Sequence, residues 1–386
     1  MEQDSLLFSF FLIFTGAAIL STAALLLRQP LLVAYIVLGV ALGPFGTSYI
    51  SDPSLLTDIS EFGIIFLLFL LGLDMQPAKL FVTLRKTFLV TLASSLLFVL
   101  IGYSTGLLFA FSHMESLVIG FAMIFSSTII GIKLLPTTVL HQKHMGELMV
   151  GILLMQDFIA IFILVFLESG SQEDASTLRV LLALPLLVGF TYLCTRFLLI
   201  KLIARFDQFK EYIFLLAIGW CLGIAEISAA IGLSVEIGAF VAGVSLATNP
   251  ISRYIALNLK PLRDFFLVLF FFSLGAQLNV GLLGEILLPA ILLAMLALTI
   301  KPMVFYALLR RFSEKKQLAW DAGLRLGQIS EFSLLIAFVA TQYAVIGESA
   351  SLLIQSAAIL TFLVSSYIVV LFCLTPIALS SKLRRD

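Results

Sequence analysis

Apolar runs separated by short polar breaks occupy almost the whole chain, and this pattern constrains the fold more than any motif does. Thirteen runs can be read: 6–27, 31–45, 59–74, 86–111, 116–138, 147–167, 179–203, 211–230, 233–248, 262–280, 284–309, 319–344 and 349–376. A bilayer core about 30 Å thick needs about 20 apolar residues per helix, and shorter runs are tilted, broken or re-entrant. The expected fold is therefore an all-α polytopic membrane protein of about thirteen transmembrane helices, with no room between them for a separate soluble domain. Composition agrees. The chain is 61% hydrophobic and 12% charged, with a mean hydropathy of +1.14, too little charge to cover a soluble protein of this size. The opening MEQDSLLFSFFLIFTG is acidic where a signal peptide is basic, and no small-residue cleavage site follows. Its apolar run is expected to be a mature first span.

The charges orient the spans. Alternate breaks carry Arg28; Lys79, Arg85 and Lys86; Lys143; Lys201, Arg205 and Lys210; Arg253, Lys260 and Arg263; Arg310, Arg311, Lys315 and Lys316; and Lys382, Arg384 and Arg385. The intervening breaks hold Asp52, Asp58, Glu115, Glu173, Asp174, Glu285 and Glu348, with Arg179 the one cation near them. By the positive-inside rule the N-terminus lies outside and the C-terminus in the cytoplasm, which requires an odd number of spans. Cys194, Cys221 and Cys373 lie in apolar runs without pairing or metal spacing, as buried small hydrophobes do. His113, His141 and His144 lie in short polar breaks and suggest neither a metal site nor a haem.

Two spans are interrupted at similar depth. The fifth reads SLVIGFAMIFSSTIIGIKLLP, broken at Ser126, Ser127, Thr128 and Gly131; the twelfth reads WDAGLRLGQISEFSLLIAFVA, broken at Gly327, Gln328, Ser330 and Glu331. Isolated small residues serve close packing in membrane helices. A pair in corresponding positions of two halves points instead to discontinuous helices crossing at midplane, with free carbonyls and helix ends facing an ion. Spans four to six would then be the inverted counterpart of spans eleven to thirteen. The expected layout is a single transmembrane domain over 1–386, with a scaffold of 1–74 and 211–280, a linker helix at 179–203, and an ion-binding core of 86–167 and 284–376.

Asp157, in GILLMQDFIAIFILVFLE, has nothing cationic within a helical turn. About ten residues from the cytoplasmic end of span six, it lies roughly 15 Å deep, at midplane. A membrane charges several kcal/mol, on the order of 3, for such a carboxylate. Lys301, beside Pro302 in LALTIKPMVFYALLRR, and Glu331 lie at comparable depth. A midplane carboxylate can hold a proton or a desolvated alkali cation, its affinity set by burial and by neighbouring charge. Competition for one carboxylate, alternately exposed to the two sides, gives exchange. Gln156, Ser126, Ser127, Thr128 and free carbonyls would supply neutral oxygens to the ion. Lys301 and Glu331 would be supporting charges, with Gln328 beside them, either as a fold-holding ion pair or as part of the mechanism. Glu236 is a weaker candidate, in the outer vestibule or as a polar contact near the interface. Glu226 is close to the surface, and Arg325 can snorkel or meet Asp321 at i, i−4.

At these residues the chain resembles the Kef branch of the monovalent cation/proton antiporter-2 family, typified by bacterial glutathione-gated potassium efflux proteins. The resembling stretches are EFGIIFLLFLLGLDMQPAKL (61–80), SSTIIGIKLL (126–135), LLMQDFIAI (153–161), GLSVEIGAFVAGVSLA (232–247), LFFFSLGAQLN (269–279) and Lys301, in family order. The resemblance implies a sodium/proton-antiporter-like fold and a homodimer, with Asp157 as the ion- and proton-binding acid, Gln156 its neighbour and Lys301 the membrane lysine. It also implies residence in a bacterial inner membrane among its lipids, no nucleic acid partner, no cofactor beyond the transported K+ or Na+ and H+, and no enzymatic activity. Asp74 stands where glutamate is more usual, Ile329-Ser330 where the twelfth-span motif has paired glycines, and Glu236 where the family is apolar. The single acid of Gln156-Asp157, against paired aspartates in electrogenic sodium exchangers, resembles electroneutral exchange with K+ favoured over Na+. Family members commonly continue into a cytosolic nucleotide-binding domain. No glycine-rich dinucleotide fingerprint occurs here, so either the protein lacks such a regulator or it is a domain or subunit outside this chain. Three further readings stay open: a gated potassium channel-like pathway, a Na+/H+ antiporter, and a non-transporting receptor or scaffold.

Overall fold

The computed structural model describes residues 6–27, 29–50, 53–74, 77–127, 144–170, 175–206, 208–247, 251–312 and 314–373. Among them there are helices and connecting turns and no strand. In chain order the helices are α1 (Leu6–Leu26), α2 (Leu31–Leu42), α3 (Pro53–Asp74), α4 (Pro77–Leu108), α5 (His113–Ile124), α6 (His144–Gly170), α7 (Ala175–Cys194), α8 (Ile200–Arg205), α9 (Lys210–Ala230), α10 (Val235–Ala247), α11 (Ile251–Ala276), α12 (Leu283–Arg311), α13 (Lys316–Arg325), α14 (Glu331–Gln342) and α15 (Glu348–Phe372). A π-helical turn, Thr195–Leu199, joins α7 to α8. Among the described residues seven helices are long and apolar enough to cross a membrane, and six apolar helical stretches of 10–17 residues accompany them. Each of the thirteen apolar runs overlaps one of these, as expected of a polytopic membrane protein.

The chain forms two compact units. One is drawn from within Met1–Ala17, Tyr35–Leu80 and Val165–Gln277, the other from within Ala18–Ala34, Phe81–Leu164 and Leu278–Asp386. In the first, α3 packs on α10 and α11, and α10 packs on α9. Glycine permits the closest of these approaches. A Cβ on Gly72 would lie 2.5 Å from the Phe240 carbonyl oxygen, and one on Gly243 would lie 2.1 Å from that of Phe69. Small residues let backbones meet in this way where lipid offers no hydrophobic drive for association. In the second unit α12 packs on α13 and α15, and α14 packs on α15 and α5.

Both interrupted spans fall in the second unit. α5 ends at Ile124, with Phe125 as its extended C-cap, and residues 125–127 are not helical. The continuation of that span, including Thr128 and Gly131, lies outside the described residues. The twelfth run is two helices, α13 and α14, with a non-helical stretch at 326–330 between them.

Candidate functional site

The two non-helical stretches touch. Ser126 Oγ donates to the Leu326 carbonyl at 2.8 Å, and Gln328 Nε2 donates to the Ser127 carbonyl at 3.3 Å. Ser333 Oγ, in the first turn of α14, donates to the Ala122 carbonyl at 2.7 Å. The C-terminal end of α5 therefore meets the N-terminal end of α14. Interrupting a membrane helix leaves peptide groups without their i, i−4 partners, and in an apolar surround each must find another.

Lys301 serves both breaks. Its Nζ donates to the Phe125 carbonyl at 2.8 Å and to the Gln328 carbonyl at 2.9 Å, and it stands 5.2 Å from the centre of the Phe98 ring. A cation here complements the negative end of α5 and the quadrupole of the ring. Lys301 is thus held by carbonyls rather than by Glu331, the carboxylate offered by a reading of charges alone. Glu331 opens α14, half-buried, where an acid complements the positive end of the helix. Its Oε2 accepts from Ser330 Oγ at 3.4 Å. Pro302 lies against α13: a Cβ on Gly323 would come within 2.7 Å of the Pro302 carbonyl, and one on Gly327 within 2.7 Å of its ring. The two glycines let the second break settle over the Lys301 level of α12.

Gln156 is buried on α6, and its amide grips the end of α5. Its Oε1 accepts from Ser126 N at 3.0 Å, and its Nε2 donates to the Ile124 carbonyl at 3.0 Å. Both ends of the amide are therefore engaged with the backbone, which fixes the end of α5 against α6. The next residue, Asp157, is 8% exposed. Gripping the break through Gln156 carries Asp157 to the same level. Gln328 spans the second break in the same manner, donating to the Arg325 carbonyl at 2.9 Å and accepting from Ser365 Oγ at 3.1 Å. Arg325, fully buried, meets Asp321 at 3.1 Å.

Of the sequence candidates, Ser126, Ser127, Gln156, Lys301, Gln328 and Glu331 are brought together at the two breaks, with Asp157 adjoining Gln156. Thr128 lies outside the described residues. Glu236 is buried in the first turn of α10 in the other unit. Sequence reasoning missed Thr361, whose Oγ1 accepts from the Ile329 amide at 3.1 Å, along with Ser365, Ser333 and Phe98. Thr361 and Ser365 stand four apart in an otherwise apolar stretch of α15, a spacing that marks one helix face.

The family model described as "Sodium/hydrogen exchanger, transmembrane" matches residues 10–375. Among curated proteins the chain is 30% identical to K(+) efflux antiporter 6 of Arabidopsis thaliana over 80% of this chain and 53% of that protein. It is 30% identical to K(+) efflux antiporter 5 of the same plant, over 92% of this chain and 64% of the relative. It is 29% identical to the iron transporter MagA of Paramagnetospirillum magneticum, over 92% and 84%. The chain spans between about half and two thirds of the length of the two plant relatives. On the match over nearly its full length, the chain belongs to the sodium/hydrogen exchanger transmembrane family, a family of transporters rather than enzymes.

Proposed function

We propose that the protein is a secondary antiporter exchanging a monovalent cation, K+ in preference to Na+, for H+ by alternating access, with Asp157 as the shared site. The observation that carries this reading is the grip of Gln156 on the end of α5, which sets a buried carboxylate beside an interrupted helix in a chain of the exchanger family. In this reading the second unit is the ion-binding core and the first the scaffold. Hydroxyls and freed carbonyls of the breaks complete the coordination of a weakly hydrated ion, and protonation of Asp157 releases it. K+ gives up its water more readily than Na+, so one carboxylate among neutral oxygens suits it. These hard oxygen donors suit an alkali cation better than the first-row metal named for MagA.

The reading includes a homodimer with its C-terminus in the cytoplasm. The test is proteoliposomes carrying an outward K+ gradient and an internal pH dye. The wild type acidifies or alkalinises the lumen according to gradient direction, and Asp157→Asn does not. Exchange at the wild-type rate in Asp157→Asn removes the assignment. Cation flux indifferent to a pH gradient favours a channel-like pathway, and tighter binding of Na+ than K+ at matched pH reverses the ion preference.

A further inference from the structure

The end of α7, the π turn and α8 carry a register that the transport reading does not use. Buried residues here recur every four positions: Leu187, Thr191, Thr195, Leu199 and Ile203 are each no more than 3% exposed. In an ideal α-helix, steps of four drift by about 40° each, so five such residues would wind away from the packed face. The π turn at Thr195–Leu199 takes more residues per turn and holds them on one side. Inside that turn Thr195 Oγ1 donates to Ser245 Oγ at 3.0 Å, which pins it to α10.

The same wide turn realigns the outer face. Five α-helical steps would put Lys201 about 140° round from Arg196. Across the π turn it returns toward the Arg196 side, so that Tyr192, Arg196, Lys201 and Arg205 follow one another along an exposed strip. Arg196 is braced there, its Nη1 donating to the Tyr192 hydroxyl at 3.1 Å and its guanidinium 5.9 Å from the Phe197 ring. Arg205 stands 5.9 Å from the Phe206 ring. Phe206 in turn packs edge-on against Tyr212 at 5.2 Å and lines a groove of about 380 Å³ with Phe209, Glu211, Tyr212 and Leu215. Beside the cations the strip is apolar: Leu193, Phe197 and Leu198 are each more than half exposed.

We propose that this strip is a binding site for one anionic phospholipid, with its phosphate held by Lys201 and Arg205 where α8 ends, Arg196 adding positive charge behind them, and its acyl chains running back along Leu193, Phe197 and Leu198. Cations at the end of an outward-facing apolar strip match a molecule that is both anionic and oily. A soluble anion gains nothing from Leu193, Phe197 or Leu198. Glu211 is the acid at the groove, and Lys210 precedes it; over 196–211 four basic residues stand against two acidic ones. The site lies wholly in the first unit and does not depend on which ion is exchanged.

Native mass spectrometry of the full chain, released from micelles doped with phosphatidylglycerol or phosphatidylcholine, tests the proposal. The wild type retains phosphatidylglycerol on the order of tenfold better, as expected for a few cations at a lipid headgroup. The triple variant Arg196→Gln, Lys201→Gln, Arg205→Gln binds the two lipids within about twofold of each other, and Arg196→Gln alone falls between. Arg310→Gln with Arg311→Gln, at the end of α12, keeps the wild-type preference. Undiminished preference in the triple variant overturns the site. So does an equal loss in the Arg310/Arg311 control, which reduces the effect to general surface charge. Displacement of phosphatidylglycerol by inorganic phosphate at matched concentration also overturns it, because the strip would then bind any phosphate.

Discussion

Lys301 shows how one side chain can hold a backbone together where the bilayer leaves no other donor. Its Nζ reaches a carbonyl from each break, and both carbonyls belong to chain that has left the helical pattern. Lys301→Met keeps the length and removes the donor. Two buried acceptors then lose a partner, each costing about 1–3 kcal/mol, so a loss of about 2–6 kcal/mol is expected in thermal unfolding of the detergent-solubilised protein. If the residue acts only by holding the breaks, whatever Lys301→Met protein folds will exchange with an unshifted pH profile. A displaced profile in well-folded protein would instead place Lys301 in the proton chemistry. The sequence left two roles open for Lys301 and Glu331, a buried ion pair or a part in the mechanism; the contacts Lys301 makes are with carbonyls, because the end of an interrupted helix is itself a strong acceptor.

At the scale of elements, the breaks depend on helices that are not broken. α15 supplies Thr361 to the Ile329 amide and Ser365 to Gln328. Thr361→Val preserves shape and strands a buried N–H, so about 1–3 kcal/mol of stability should go, visible as a lowered melting temperature. Thr361→Ser should restore most of it. The outer joint is separate. Ser112 and Glu115 form a capping box on α5, and Glu115 Oε1 also accepts from Gly347 N, the N-cap of α15, at 3.2 Å. Partial burial works to raise the Glu115 carboxyl, but the Ser112 backbone and side chain and the Gly347 backbone outweigh it, and its pKa lies below the ordinary 4.5. A depressed acid contributes stability above its unfolded pKa and loses it as pH falls through the folded one. The stability gap between wild type and Glu115→Gln should therefore be steady near neutrality and close below about pH 4.5; a gap that widens with acid would refute the sign. The break positions were legible in the sequence because Gly, Ser and Gln cluster at one depth in two spans. Their supports were not, since Thr361 and Ser365 read like any small polar residues in a membrane helix until the facing amides are known.

For the molecule as a whole, the all-helical polytopic architecture was legible because hydropathy is summed over about 20 residues at a time, and no tertiary contact overrides so long an average. In the proposed antiport the charge that moves is a property of the whole molecule too, and follows from how many acids the proposed site commits. Span six contributes one carboxylate, Asp157, and Gln156 stands where a second would be. Gln156 has a neutral amide, which neither titrates nor carries a compensating charge, and both of its ends are engaged with the backbone. One carboxylate that releases one proton as it takes one monovalent cation moves no net charge in either half of the cycle. Glu331 changes that count only if it enters the site, and its place at the N-terminus of α14 gives its charge a structural use. Exchange in proteoliposomes should therefore be electroneutral: a K+ gradient changes lumenal pH while a solid-supported membrane carrying the same protein registers no sustained charge displacement. Replacing Glu331 with Gln should leave this electrical silence intact. A steady current that follows the K+ gradient and disappears in Glu331→Gln would make Glu331 a second transported-charge acid, and with it would fall the argument for K+ over Na+.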